Sequence, residues 1–201
     1  LSNWIYSIIN GTLVKDINTI EDYKGLKMRM PGLGGEVLRR IGAAAVSLPG
    51  GEIFPSLQSG AIDATEWVGP WNNLAFGFYK ITKYYYYPGF HEPGSTLSCG
   101  MNLQVWESLS SSHKAAVQAA CSAQNNVMFA EFTAKNGDAL ETLINEHNVQ
   151  YRQVNDSIMQ RIGEASASVM SEIGASDDIT VKIWKNFREF RRKVLRYTAV
   201  S

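Results

Sequence analysis

The stretch from Leu26 to Trp67 limits the possible folds most. Short apolar runs alternate there with short amphipathic ones, and proline or glycine marks nearly every junction. Leu26 to Met30 reads as a buried strand, stopped by Pro31 and the glycines of PGLGGE. Glu36 to Gly42 reads as a short helix with Val37, Leu38 and Ile41 on one side. Ala45 to Leu48 is a second strand, ended by Pro49-Gly50-Gly51, and Glu52 to Ser59 is a helix that Gly60 closes as a left-handed cap. Ala61 to Trp67 is the third strand. This alternation is the pattern of an α/β layer with parallel strand pairing.

The flanking sequence extends that layer. Leu1 to Val14 is strand-like with a break at Gly11, and Thr19 to Tyr23 forms a helical turn. Asn72 to Tyr84 is an amphipathic helix that leads into a Tyr84 to Tyr87 strand, and Ser95 to Asn102 is another strand. Leu103 to His147 is one long helical tract, with Val117, Ala120, Cys121, Val127, Met128 and Phe132 at helical spacing. Val149 to Val154 is the last strand, and helices follow at Ser157 to Ile173 and Asp178 to Tyr197.

At 201 residues, 45% of them apolar, the chain has material for a real core in one large domain or two small ones. Its 19 basic and 19 acidic residues balance, which argues against nucleic acid as a partner. No apolar run has the length of a bilayer span. The two cysteines, Cys99 and Cys121, fall in different elements and are expected as buried thiols, with a disulfide possible. The three histidines show no zinc-ligand spacing. The chain opens at Leu1 without a methionine, in sequence that reads as the middle of a protein, so it is expected to be a fragment.

Three charged residues beside turns mark the candidate site. Arg29 stands alone in LKMRMPG, Glu66 precedes Trp67 in SGAIDATEWVGPW, and Glu92 lies in YYYYPGFHEPG. An arginine fork grips a carboxylate through two hydrogen bonds, while carboxylates neutralise a hard cation. Each of the three sits at a strand end, where ligands collect in open α/β sheets. Trp67 would wall off water and strengthen charge interactions beside it.

PGLGG before a helix lacks both the ending of a P-loop and the spacing of a dinucleotide fingerprint, so it reads as a strand-to-helix turn whose amides can assist an anion. His91 reads as a structural neighbour. The four tyrosines either pack or place two rings along a cleft. The basic amphipathic tract Ile183 to Arg192 is expected to dock on its own domain, with a partner subunit or acidic headgroups as alternatives.

With these residues in hand, the chain resembles the solute-binding proteins of TRAP (tripartite ATP-independent periplasmic) transporters, in the branch that takes 2-oxo acids and small carboxylates. The runs GLKMRMPGLGGEVLRRIGA, LPGGEIFPSLQSGAIDATEWVGPWNN and YYYYPGFHEPGS carry the likeness, which extends from about Val14 to Tyr197. It implies a periplasmic-binding-protein-like α/β fold of two lobes, with crossing hinge strands and long C-terminal helices, and most of the first lobe absent from this chain. Residues 1–62 and 96–155 would form the second lobe, 63–95 a crossing segment belonging to the first, and 156–201 helices packed across both.

It further implies a periplasmic, non-catalytic protein that captures a small organic acid such as pyruvate and delivers it to a membrane permease. Arg29, Trp67 and Glu92 would bind substrate. Glu66, Trp67 and Glu92 would surround a metal ion, Na⁺ or Ca²⁺, with a backbone carbonyl completing the shell. The last helix would be exchanged between subunits in a homodimer. The branch also carries a glutamine contacting substrate or metal just before the matching region, where this chain reads Tyr6-Ser7-Ile8-Ile9-Asn10-Gly11. Two other classes compete: a ligand sensor of the same fold, and an enzyme using Glu66 and Glu92 as an acid/base pair.

Overall fold

Each apolar run between Leu26 and Trp67 becomes a three-residue strand, and each amphipathic run becomes a helix. The computed structural model describes residues 11–90 and 98–198. In order these are β1 (Gly11–Leu13), β2 (Lys27–Arg29), α1 (Gly32–Arg40), β3 (Ala44–Val46), α2 (Gly50–Gln58) and β4 (Ala64–Glu66). There follow α3 (Pro70–Phe76), β5 (Tyr84–Tyr87), α4 (Leu103–Ser108), α5 (Ser111–Asn145), β6 (Gln150–Gln153), α6 (Asp156–Ile173) and α7 (Asp178–Thr198). Single 3-10 turns stand at Ile20–Tyr23 and Phe78–Lys80.

The strands make one sheet in the order β3-β2-β4-β1-β5-β6. β2 runs parallel to β3 and β4, and β5 runs parallel to β6. β1 is antiparallel to both β4 and β5. Because β1 reverses direction between them, β4 and β5 point the same way, and β2 through β6 all end on one edge. The expected α/β class holds. β4 and β5 lie in the same sheet as β2 and β3.

One face of the sheet packs Met28, Met30 and Tyr86 against Val37 and Leu38 of α1 and Ile158, Ile162 and Val169 of α6. The Arg40 guanidinium ties these helices, with Nη1 and Nη2 donating to Glu172 at 2.8 and 2.6 Å. A second cluster, under α2, holds Ile53, Leu57, Ile62 and Phe78, with Leu48 and Trp67 at its margin. A third gathers Tyr85, Leu143 and Val149 beneath the end of α5. Each fully buried Leu, Ile or Phe contributes about 1.5–3 kcal/mol, and this set closes the core on both faces of the sheet.

Several expectations are corrected. The helix expected from Asn72 to Tyr84 breaks at Gly77 (φ 71°), leaving α3 and a 3-10 turn. The single tract from Leu103 breaks at Leu109, because Ser110 takes an extended conformation and its hydroxyl accepts from the His113 N–H at 3.2 Å. Serine is a better cap than helix-interior residue, and a local serine run outweighs the apolar period. Residues 98–102 of the strand expected at Ser95 to Asn102 are not extended into a sheet, and 95–97 lie outside the described residues. Both cysteines are exposed rather than buried. Cys121 is on α5, helical as expected, and Cys99 lies on the segment before α4.

Docking of α7 on its own domain is confined to one edge. Trp184 packs so closely on Gly174 that a Cβ there would lie 2.3 Å from the ring. No residue of α7 is buried, and Ile179, Ile183 and Phe190 are exposed.

Candidate functional site

Strand alternation puts Arg29 where it is. Met28 and Met30 enter the core against α1 and α6, so Arg29 turns to the other face at the end of β2. β4 lies beside β2 in register, with Arg29 opposite Thr65, which brings the next residue, Glu66, alongside. Arg29 is 8% exposed and Glu66 6%. The Arg29 Nη1 is ion-paired with the Glu66 Oε1. Nη1 also donates to the Glu66 main-chain carbonyl at 3.4 Å, and Nε donates to the Leu48 carbonyl at 3.1 Å. Removing two charges from water is costly, so a pair buried at a sheet edge is poor evidence of stabilisation and better evidence of a site.

Trp67 closes the arrangement. The Arg29 guanidinium lies 5.4 Å from its ring centroid, within reach of the π face. The start of α2 presses on the other part of the indole, and a Cβ at Gly50 would lie 2.5 Å from Cη2, so only glycine allows this approach. The indole Nε1 is buried and donates to nothing among the described residues. A buried N–H without an acceptor is costly, and a ligand oxygen would satisfy it.

The edge is also favourable to anions. α1 and α2 both begin here, behind Pro31 and Pro49, which offer their first amides no side-chain cap. Those amides carry the positive end of each helix dipole. The PGLGG run is the strand-to-helix turn expected of it, with α1 starting at Gly32.

A further set of contacts, from α5, holds the site's frame, and no sequence motif marks it. The turn after Trp67 is gripped by α5: the Asn136 Oδ1 accepts from the Trp71 N–H at 3.0 Å, and the same amide lies against Gly69. Lys135 stands 4.3 Å from the Trp71 ring centroid, and Phe132 meets that ring edge-on at 5.0 Å. Asn136 sits in a polar run of a long helix. Its only mark is that asparagine is a poor helix former, too weak a signal to single it out.

The remaining site residues divide. Glu92 and His91 lie outside the described residues, although the chain leaves β5 on the same edge as Arg29 and Glu66. The tyrosine run packs. Tyr85 and Tyr86 are buried, and the Tyr87 ring stacks on Tyr151 at 4.2 Å. The Tyr86 hydroxyl accepts from the Ile17 N–H at 2.7 Å and donates to Asp16, holding the Asp16 carboxyl below its ordinary range. Among the described residues no three His, Cys, Asp or Glu side chains converge. The Glu66 carboxylate and the Trp67 main-chain carbonyl are hard oxygen donors, of the kind Na⁺ and Ca²⁺ accept.

The model of one protein family, described as bacterial extracellular solute-binding protein, family 7 (DctP), matches residues 6–177. A monocarboxylate 2-oxoacid-binding periplasmic protein of Nostoc sp. strain PCC 7120 is 37% identical over 195 residues, covering 96% of this chain and 53% of its own length. A TRAP periplasmic solute binding protein of Pseudoalteromonas atlantica, solved with bound sodium and pyruvate, superposes with a TM-score of 0.89 at 36% identity. One from Colwellia psychrerythraea, solved with bound calcium and pyruvate, gives the same two values. Both cover 96% of this chain and 59% of theirs. The chain thus spans a little over half the length of these relatives.

Proposed function

The chain belongs to the bacterial extracellular solute-binding proteins of family 7, and on that premise we propose that it is the ligand-holding part of a periplasmic TRAP binding protein for a small 2-oxo acid, pyruvate being the simplest. A sodium or calcium ion would bind with the acid, and the loaded protein would pass it to a membrane permease. The observation that carries this reading is the buried Arg29–Glu66 pair beside an indole N–H that has no acceptor among the described residues.

These residues can hold such a ligand without any chemical step. Arg29 offers its fork to the carboxylate, and the Trp67 N–H supplies a donor for an oxygen of the acid. A bound cation supplies positive charge for the Glu66 carboxylate, the Trp67 carbonyl and the chelating oxygens of the acid to share. Glu66 decides the coupling. In this structure its Oε1 satisfies Arg29, so an incoming carboxylate competes with it. A buried carboxylate that gives up its arginine partner costs about 3–5 kcal/mol unless a cation takes that place. Affinity for the acid should therefore fall by about two to three orders of magnitude when the cation is withheld. Because the Glu66 carboxylate is occupied as an ion-pair partner, an acid/base role for it has no support in this geometry.

The same reading gives the exposed Ile179, Ile183 and Phe190 of α7 a role in joining two copies. Light scattering should find a dimer; a monomer at every concentration contradicts that role. The binding proposal is tested by a thermal-shift screen of the full-length gene product with pyruvate, longer 2-oxo acids, lactate and dicarboxylates, with and without Na⁺ or Ca²⁺. It expects a rise of several degrees for a 2-oxo acid, dependent on the ion and absent in Arg29→Ala. No shift with any of these acids would overturn it.

A further inference from the structure

The chain has two cysteines, far apart in sequence, and the fold brings them together. Cys99 lies on the segment before α4 and Cys121 on α5, and their side chains are neighbours close enough to interact. Both residues are exposed, so a redox partner can reach them. We propose that Cys99 and Cys121 form a disulfide that staples α4 to α5 in the mature protein. The proposal rests on the periplasmic reading above, because that compartment is oxidising and keeps disulfides formed.

The staple has a mechanical reason. The loop it closes contains α4 and the first turns of α5, and α4 buries none of its residues. Leu103 and Val105 are 66% and 52% exposed, so apolar burial among the described residues does not hold α4 in place. The chain is also extended at Leu109, between the two helices, where it could pivot. A covalent bond from the segment before α4 to the body of α5 fixes both ends of that pivot. It removes conformations from the unfolded chain as well.

The step balances by thiol–disulfide exchange. One cysteine, as thiolate, attacks a sulfur of an oxidant's disulfide and expels one oxidant thiol, forming a mixed disulfide. The second cysteine attacks the first cysteine's sulfur in that mixed disulfide and expels the oxidant's remaining sulfur as a thiol. The chain loses two protons and two electrons and gains one S–S bond. The oxidant, a dithiol–disulfide oxidoreductase in its disulfide form, leaves reduced.

The test uses the full-length gene product exported to the periplasm, alkylated before lysis and digested with trypsin without reductant. The expected result is a peptide of residues 84–114 joined to 115–135, with neither cysteine alkylated. Reduction should lower the melting temperature by about 5–10 °C. A variant carrying both Cys99→Ser and Cys121→Ser should melt at the reduced temperature whether or not reductant is present, with an unchanged far-UV spectrum. In parallel, protein purified reduced is incubated with oxidised glutathione. Free thiols in both preparations overturn the pairing. A bond formed with glutathione but absent from the exported protein overturns the oxidising compartment on which the pairing rests.

Discussion

The segment from β2 to β4 and the helices α4, the front of α5 and α7 carry apolar residues at comparable regularity, yet their fates differ. In the first, Leu38, Ile53, Leu57 and Ile62 are at most 3% exposed. In the second, Leu103, Val105, Val127 and Phe190 stand between 52% and 66% exposed. Periodicity tells a helix which face to bury; it does not supply the surface to bury it against. Between β2 and β4 that surface is a strand a few residues away in sequence. For the later helices no described element provides it.

The charged pair gives the largest test of this contrast, since it lies in the buried region without being apolar. Arg29→Ala takes the Arg29 ion pair from the buried Glu66 carboxylate, and chemical denaturation should show a loss of about 3–5 kcal/mol. Arg29→Met with Glu66→Leu should recover most of it. If the single variant is as stable as the parent, the pair is solvated and the site is open. Next comes the apolar comparison. Ile53→Ala should cost about 2–5 kcal/mol, whereas Phe190→Ala on α7 should stay within about 0.5 kcal/mol in the monomer. Equal costs would erase the difference between the two regions.

Asn136→Ala tests the polar link from α5 to the turn after Trp67. Losing the acceptor for the Trp71 N–H should cost about 1 kcal/mol, and Asn136→Asp, which keeps that oxygen, should cost less. The smallest effect belongs to the exposed tie between α1 and α6. The Arg40 guanidinium pulls the Glu172 carboxyl from its ordinary 4.5 down to about 2. A depressed carboxyl stabilises the fold above its unfolded value and loses that contribution as pH falls from about 4.5 towards 2. Melting temperatures of the parent and Glu172→Gln should therefore differ slightly at neutral pH and converge by about pH 2.

The α/β layer was legible because its signals are local. Prolines and glycines mark the junctions, and Gly60 does close α2 at φ 73°. Arg29 and Glu66 were legible as isolated charges at the ends of apolar runs. Their contact with each other was not, since it depends on β4 pairing beside β2 while β3, nearer in sequence, takes the outer place. Asn136 was invisible for the same reason, reaching Trp71 across 65 residues. Cys121 has helical spacing without burial, because spacing does not supply a covering surface, and Cys99 has no strand to bury it.

The central claim is that Glu66 trades its bond to Arg29 for a cation when a carboxylate arrives. Calorimetric titration of pyruvate into the full-length gene product, at a series of Na⁺ and Ca²⁺ concentrations, tests it most directly. The account predicts an affinity that rises with the effective ion by about two to three orders of magnitude, and that loses this dependence in Glu66→Gln. Pyruvate bound equally well at every ion concentration, in parent and variant alike, would contradict it.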